Sequence, residues 1–303
     1  MTTEPKVSIL SPCYNGEVHL EYFLKSLSEQ TYKNVEFILI DDGSTDNSRQ
    51  IYENHKQSLI NKGWTTQYIY QKNQGQAAAI NNGLKLITGK YLIFPDSDDI
   101  LYSNHIEEKV KYMEENPEYA ISYCVLDVCS ISDLSTKTGE LRCIPDDKMF
   151  KHIVNKDGYI LWPPIGNIIR TSALFDVLPN KEIAVCQGGQ NCQIQMPLFY
   201  KYKCGFIDKS LGMYVMRSTS HSNNASGDLY KRCFVLSNIW LQSIDLLCYA
   251  SRFQKISLKA IVLSRTVNEI FSIFIQLIFS VKNEFINNRK RKVLRVFFLK
   301  FVL

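Results

Sequence analysis

The chain has 303 residues, 45% of them hydrophobic and 21% charged, with a net charge of +5. That length holds one large domain with an appendage or two modest domains, and the composition excludes a disordered or fibrous chain. The charge is segregated: residues 252–303 carry eleven Lys/Arg against two Asp/Glu, so the remainder is acidic on balance. A tail of this kind fits an anionic surface, and its aromatics are Phe among Ile and Leu, so a lipid surface is expected and no nucleic acid. Nine cysteines without a C-x-x-C pair argue against a disulfide framework or zinc site and for a reducing compartment. The N-terminus lacks a basic stretch followed by an apolar one, so no signal peptide is expected. The longest uncharged apolar run, residues 270–281, falls short of the roughly 20 residues a membrane span needs.

In chain order, residues 6–11 (KVSILS) read as a buried strand broken by Pro12, with a helix over 17–30 marked by Leu20, Phe23, Leu24 and Leu27. Residues 35–40 (VEFILI) are a second buried strand ending in Asp41, Asp42, Gly43 and Ser44, and Thr45 or Asp46 caps a helix over 47–62. A strand over 66–71, an Ala-rich helix over 77–87, a strand over 91–94 and a helix over 104–115 follow. Continuous apolar strands alternating with helices predict a mostly parallel α/β sheet covered on both faces. Beyond this, 127–147 reads as an excursion, 162–170 as a rigid turn into a strand, and 193–203 as a helix preceded by Gly188 and Gly189. Residues 206–215 read as a strand and 217–227 as a polar loop before a helix-rich tail.

In such sheets ligands bind beyond the carboxyl ends of the strands. Three strand ends carry polar residues: 12–15, 41–44 and 96–99. The last holds Asp96, Asp98 and Asp99, whose mutual repulsion is relieved by solvent in a surface turn or by a divalent cation that also bridges phosphates.

Residues 6–15, 41–46, 73–83 and 95–99 together resemble the family 2 glycosyltransferases of the GT-A fold, over roughly the first 220 residues. The resemblance implies inverting transfer of a sugar from a UDP-sugar to a hydroxyl of a saccharide or lipid-linked acceptor, with Mn²⁺ or Mg²⁺. It implies that Pro12, Tyr14 and Asn15 line the uracil loop and that Asp42 accepts the uracil imide N–H, with Asp41 ordering the loop. Asn73, Gly75 and Gln76 match the family's Asn-x-Gly segment beside the nucleotide. Asp98 is implied as the direct metal ligand, Asp96 as a ribose or metal contact, and His221 as the late histidine of the metal shell. Arg217, on the same loop, is expected to clamp the diphosphate. Bland readings stand beside these: Tyr14 as a packed surface tyrosine, Asp42 in a capping turn, and His221 as an exposed loop residue.

One place departs from the pattern. Inversion needs a general base, and many relatives supply a Glu-Asp pair at the start of a helix where this chain has Gln190 and Asn191. A neutral carboxamide cannot take that proton. The base is then Glu182 or Asp157, or Gln190 and Asn191 orient the acceptor, or the chain binds donor without turnover as a silent subunit of a membrane assembly. The second account is favoured, since an intact metal motif has little use without turnover. A dinucleotide-dependent oxidoreductase is disfavoured because no G-x-G-x-x-G follows the first strand.

The expected organisation is a GT-A nucleotide-sugar-binding and catalytic domain over 1–220 and a flexible loop with a basic, amphipathic helical extension over 221–303. Within the extension Arg289, Lys290, Arg291 and Lys292 abut the apolar residues 293–303, a pattern of in-plane membrane anchors or of helices packing on protein, including a second subunit. The anchor reading places the protein in the cytoplasm, peripheral on the inner face of the membrane, building a bacterial surface polysaccharide or glycolipid.

Overall fold

The computed structural model describes residues 4–142, 144–145, 150, 163–185, 189–217, 244–245, 247, 250–264 and 266–267. Asp157, Trp162, Gly188, His221, most of the polar loop and the basic cluster at 289–292 lie outside the described residues.

The first strands form because their sequences have no polar face to expose. Every residue of β1 (Val7–Cys13) and β2 (Val35–Asp41) is buried, and so is β4 (Tyr91–Ile93). β3 (Thr65–Tyr70) alternates between exposed and half-buried, as an edge strand does. The sheet runs β3-β2-β1-β4, then β8 (Asn167–Arg170), β6 (Tyr119–Ser130), β9 (Lys203–Met216) and β5 (Ile100–Leu101), with β7 (Gly139–Leu141) beside β6. The β3-β2-β1-β4 half is parallel throughout. The chain steps outward from β1 to β3 and then returns to β4 on the other side of β1. The carboxyl ends of β1 and β4 therefore flank the point where strand order reverses.

Side-chain alternation sorts the core into two layers. Val7, Ile9, Phe37, Leu39, Tyr91 and Ile93 pack against helices α1 (Leu20–Ser28), α2 (Ser48–Asn61) and α4 (His105–Glu115). Leu10, Ile38, Ile40, Leu92 and Phe94 face α3 (Gln76–Leu84), α5 (Thr171–Val177) and α6 (Gln190–Lys201). α3 lies close on the sheet: a Cβ added to Gly83 would sit 2.1 Å from Leu10 Cδ1. Ile244, Leu247, Ala250 and Val262, the last in a helix over 252–264, join the second layer. These residues toward the C-terminus thus share one core with the sheet.

The second half of the sheet is mixed. β8 (Asn167–Arg170) runs antiparallel to both β4 and β6 (Tyr119–Ser130). β9 (Lys203–Met216) is parallel to β6, and the short β5 (Ile100–Leu101) pairs antiparallel with β9.

Several sequence expectations shift. β1 continues through Pro12 to Cys13, because β4 pairs only as far as Ile9 and leaves one side of β1 open, where a strand tolerates proline. The expected excursion over 127–147 begins as the end of β6, and β7 (Gly139–Leu141) folds back on it antiparallel. α6 begins at Gln190 rather than Gln193, after Gly189 in the left-handed region (φ 78°). Gln190 and Asn191 are therefore its first turn. β5, most of β6, and α5 had no counterpart in the sequence reading.

Candidate active site

The loops after β1 and β2 are laced together by hydrogen bonds. Asn15 takes a left-handed backbone (φ 48°), its N–H donates to Ser44 Oγ (2.9 Å), and its Oδ1 accepts from Thr45 N–H (2.9 Å). Gly16 N–H donates to Ser48 Oγ (2.7 Å) and Glu17 N–H to Asp46 Oδ2 (2.9 Å). Asp41 accepts from Ser44 N–H (2.7 Å) and from the Tyr68 hydroxyl. Buried Asp42 accepts from Gln71 Nε2 (2.7 Å), Gln74 N–H (2.9 Å) and Gly75 N–H (2.8 Å). Asp42 is thus the knot that holds residues 71–75 against the end of β2. Pro12 is buried in β1, Asn73 and Gly75 are exposed, and Tyr14 leaves 52% of its surface open.

Past β4, Pro95 turns the chain and its carbonyl accepts from Ser11 Oγ (2.9 Å). The turn then closes on itself: Asp99 N–H donates to the Asp96 carbonyl (3.2 Å), and Asp96 N–H donates to Asp99 Oδ2 (3.1 Å). One carboxylate oxygen from each of Asp96, Asp98 and Asp99 falls within 4.8 Å of the others. Such crowding disfavours ionisation. Burial, and then the Asp98 charge, push Asp96 up to about 7 against the hydrogen bond from Gln76. Asp99 is pushed well above the carboxylate range by burial and by both neighbours. Three hard oxygen donors short of positive charge are the donor set that suits Mg²⁺ or Mn²⁺, so these residues fit the implied metal.

Positive charge does reach the cluster from the far end of the sheet. Arg217, directly after β9, forms an ion pair with Asp98 through Nη2, and its Nη1 lies 3.3 Å from His19 Nδ1. Burial, and then the Arg217 charge, lower the His19 pKa, so a neutral imidazole accepts from the guanidinium. Spacing along the chain gives no hint of His19, which stands 198 residues from Arg217. The buried Gln71 was likewise unforeseen.

The helix α6 enters from the other side. Gln190 Nε2 donates to Gln76 Oε1 (2.5 Å), and Gln76 Nε2 donates to Asp96 Oδ1 (2.6 Å). Asn191 Oδ1 is buried without a hydrogen-bond partner among the described residues. The structure therefore brings Gln76, Asp96, Asp98, Gln190 and Arg217 into one connected set. Glu182 lies elsewhere: it pairs with Lys85 (2.6 Å), both side chains about half exposed, at the C-terminal end of α3. The next residue, Ile183, exchanges two hydrogen bonds with Asn81 in the middle of that helix (2.8 Å each).

Comparison with known proteins bears on the family and the fold. A family profile described as "Glycosyl transferase family 2" matches residues 8–175. Glycosyltransferase GlyG of Streptococcus pneumoniae is 36% identical over 221 residues, covering 71% of this chain and 72% of that protein. An uncharacterized glycosyltransferase of Rickettsia felis is 42% identical over 113 residues, which are 37% of this chain and 18% of that longer protein. Against a Haemophilus influenzae relative the match spans 44% of the protein, so the chain corresponds to under half the length of several curated relatives. Among solved structures, S. aureus TarS in complex with UDP-GlcNAc superposes with a TM-score of 0.60 at 21% identity, covering 95% of this chain and 77% of that one. A Pyrobaculum calidifontis mannosyltransferase in complex with GDP-Man and Mn²⁺ gives 0.54 at 14% identity, covering 89% and 75%. These likenesses fix the fold as GT-A. On the profile match and the similarity to GlyG, the chain belongs to glycosyl transferase family 2.

Proposed function

We propose that the chain is a metal-dependent inverting glycosyltransferase that moves a sugar from a UDP-sugar to a hydroxyl of a saccharide or lipid-linked acceptor. The observation that carries this reading is the three-carboxylate turn at the reversal of strand order, with Arg217 on Asp98. TarS, which shares the fold, has been solved with UDP-GlcNAc, and the mannosyltransferase with Mn²⁺.

In this reading Asp98 and Asp96 hold Mn²⁺ or Mg²⁺, with His221 as a third ligand from outside the described residues. When bound, the cation stabilises negative charge that develops on the leaving diphosphate. Tyr14 offers its open ring face to the uracil. Asn73, Gly75 and Gln76 bring an exposed, small-residue surface and the start of α3 to the nucleotide, held in place by the Gln74 and Gly75 N–H bonds to Asp42. Asp42 itself has its oxygens engaged, so it shapes the base pocket more than it reads the imide. Arg217 turns from Asp98 to the diphosphate, and His19 steadies it. Gln190 and Asn191 bind hydroxyls and take no proton.

A second reading, a silent nucleotide-sugar-binding subunit, is favoured by one observation: neutral amides stand where a proton acceptor is expected. Calorimetry and a UDP-release assay separate the two. The parent chain takes up UDP only with Mn²⁺ and releases UDP from a UDP-sugar, whereas Asp98→Asn loses the Mn²⁺-dependent uptake by at least about tenfold. Uptake without release selects the silent subunit. Equal uptake by Asp98→Asn removes both readings.

The C-terminal region is proposed to rest on an anionic membrane surface at the cytoplasmic face. Phe253, Ile256 and Leu263 are exposed on the helix over 252–264 beside Arg252, Lys255 and Lys259, which supports that placement. Assembly of a surface polysaccharide or glycolipid is the process such a location serves.

A further inference from the structure

The contact between Gln76 and Gln190 joins residues 114 positions apart, and its polarity is set by elementary chemistry. Gln76 Nε2 donates to Asp96 Oδ1 (2.6 Å), so the end of Gln76 that faces Asp96 is its NH₂ group. The other end of Gln76 is then a carbonyl, which also only accepts, so Gln190 presents its own NH₂ to it. What is left over at Gln190 is Oε1, an acceptor shielded from solvent with no partner among the described residues. Native interiors leave few acceptors in that state, and each calls for an explanation such as strain, a catalytic role, a water or an ion.

We propose that Gln76 and Gln190 form a two-amide relay that positions Asp96 and leaves Gln190 Oε1 as an acceptor-only group for a hydroxyl of the transferred sugar. The inference rests on the donor site proposed above. Asp96 belongs to the cluster that faces the diphosphate, and the sugar is bonded directly to that diphosphate. A group one carboxamide away from Asp96 therefore meets the donor's sugar before it meets the acceptor. The relay also gives the amides a purpose that carboxylates lack. A glutamate at 190 has no hydrogen to give Gln76 and adds negative charge to a cluster already crowded with it. Gln76 and Gln190 are positioning residues here, and the reading of the hydroxyl is the specificity they confer.

The test is calorimetry on the full chain with Mn²⁺, using UDP and the tightest binder among UDP-GlcNAc, UDP-glucose and UDP-galactose. Gln190→Met keeps the volume and removes both amide functions. Its affinity for the UDP-sugar falls about fivefold or more beyond whatever change its affinity for UDP shows. Gln76→Met shows the same loss for the UDP-sugar, and the double variant is no worse than the weaker single one, because each change breaks the same chain. Gln190→Glu, a change of one atom group with little effect on packing, also loses UDP-sugar affinity. UDP-sugar affinity at the parent level in Gln190→Met or Gln190→Glu overturns the relay, as do losses that multiply in the double variant. A loss seen only in the KM for acceptor overturns the assignment to the donor's sugar. If the parent itself fails to take up UDP with Mn²⁺, the donor site has failed instead, and that result is separate from any effect of the variants.

Discussion

Glu36 shows how one buried side chain fastens the end of the sheet opposite the site. It lies in β2 and accepts from Ser8 Oγ (2.5 Å), Lys6 Nζ (2.6 Å), Thr88 N–H (2.5 Å), Thr88 Oγ1 (2.7 Å) and Gly89 N–H (3.1 Å). Burial alone raises its pKa, but hydrogen bonds from Lys6, Ser8 and Thr88 outweigh burial and bring it down to about 2. A carboxyl held lower in the folded chain than in the unfolded one stabilises the fold above its ordinary titration range. That stabilisation drains away as pH falls through that range toward 2. Glu36→Gln should therefore lose about 1–3 kcal/mol at neutral pH and show a flatter decline in urea midpoint between pH 5 and pH 2. An unchanged midpoint at pH 7 would show that the Glu36 bonds add nothing. At this scale the sequence was informative where like groups fell on adjacent residues, as the carboxylates of Asp96, Asp98 and Asp99 do. It was silent where partners come from distant strands. His19 meets Arg217, and Gln190 meets Gln76, only because the sheet brings their loops to one rim.

Among elements, α3 has the most exacting fit. Its first residue, Gln76, touches Asp96, its cap Gly75 (φ 90°) gives an N–H to Asp42, and its Gly83 lies against Leu10 in the central strand. Gly83→Ala gains helix propensity, about 1 kcal/mol, yet forces a methyl into Leu10. The expected result is a net loss of about 1–2 kcal/mol in thermal or urea unfolding and weaker UDP binding, since α3 shifts as a unit. Leu10→Ala combined with Gly83→Ala should recover part of both, and absence of any recovery would place the cost elsewhere. The strands β1, β2 and β4 were legible because continuous apolar runs have no other home than a two-sided sheet. β6 was not, since VLDVCS at its end carries polar residues that look like loop until β7 and β9 pair with it. α5 (TSALFDV) is too short for a periodic signal, and α6 starts early because Gly189 supplies a left-handed cap.

For the whole molecule, the GT-A architecture was readable from the order of motifs. The C-terminal part contributes Ile244, Leu247, Ala250 and Val262 to the same core as α3 and α6. No helix among the described residues is long and apolar enough to cross a membrane. A peripheral attachment through the basic end therefore makes a clear forecast. Removing residues 288–303 should cut co-sedimentation with anionic liposomes by about tenfold or more at low salt, with UDP and Mn²⁺ binding retained. Equal sedimentation of the truncated chain would assign the tail to protein packing. The pairing of Arg217 with Asp98 has one more consequence. A cluster that carries its own resident cation does not need a metal to stay folded. Chelator should leave the melting curve of the protein in place.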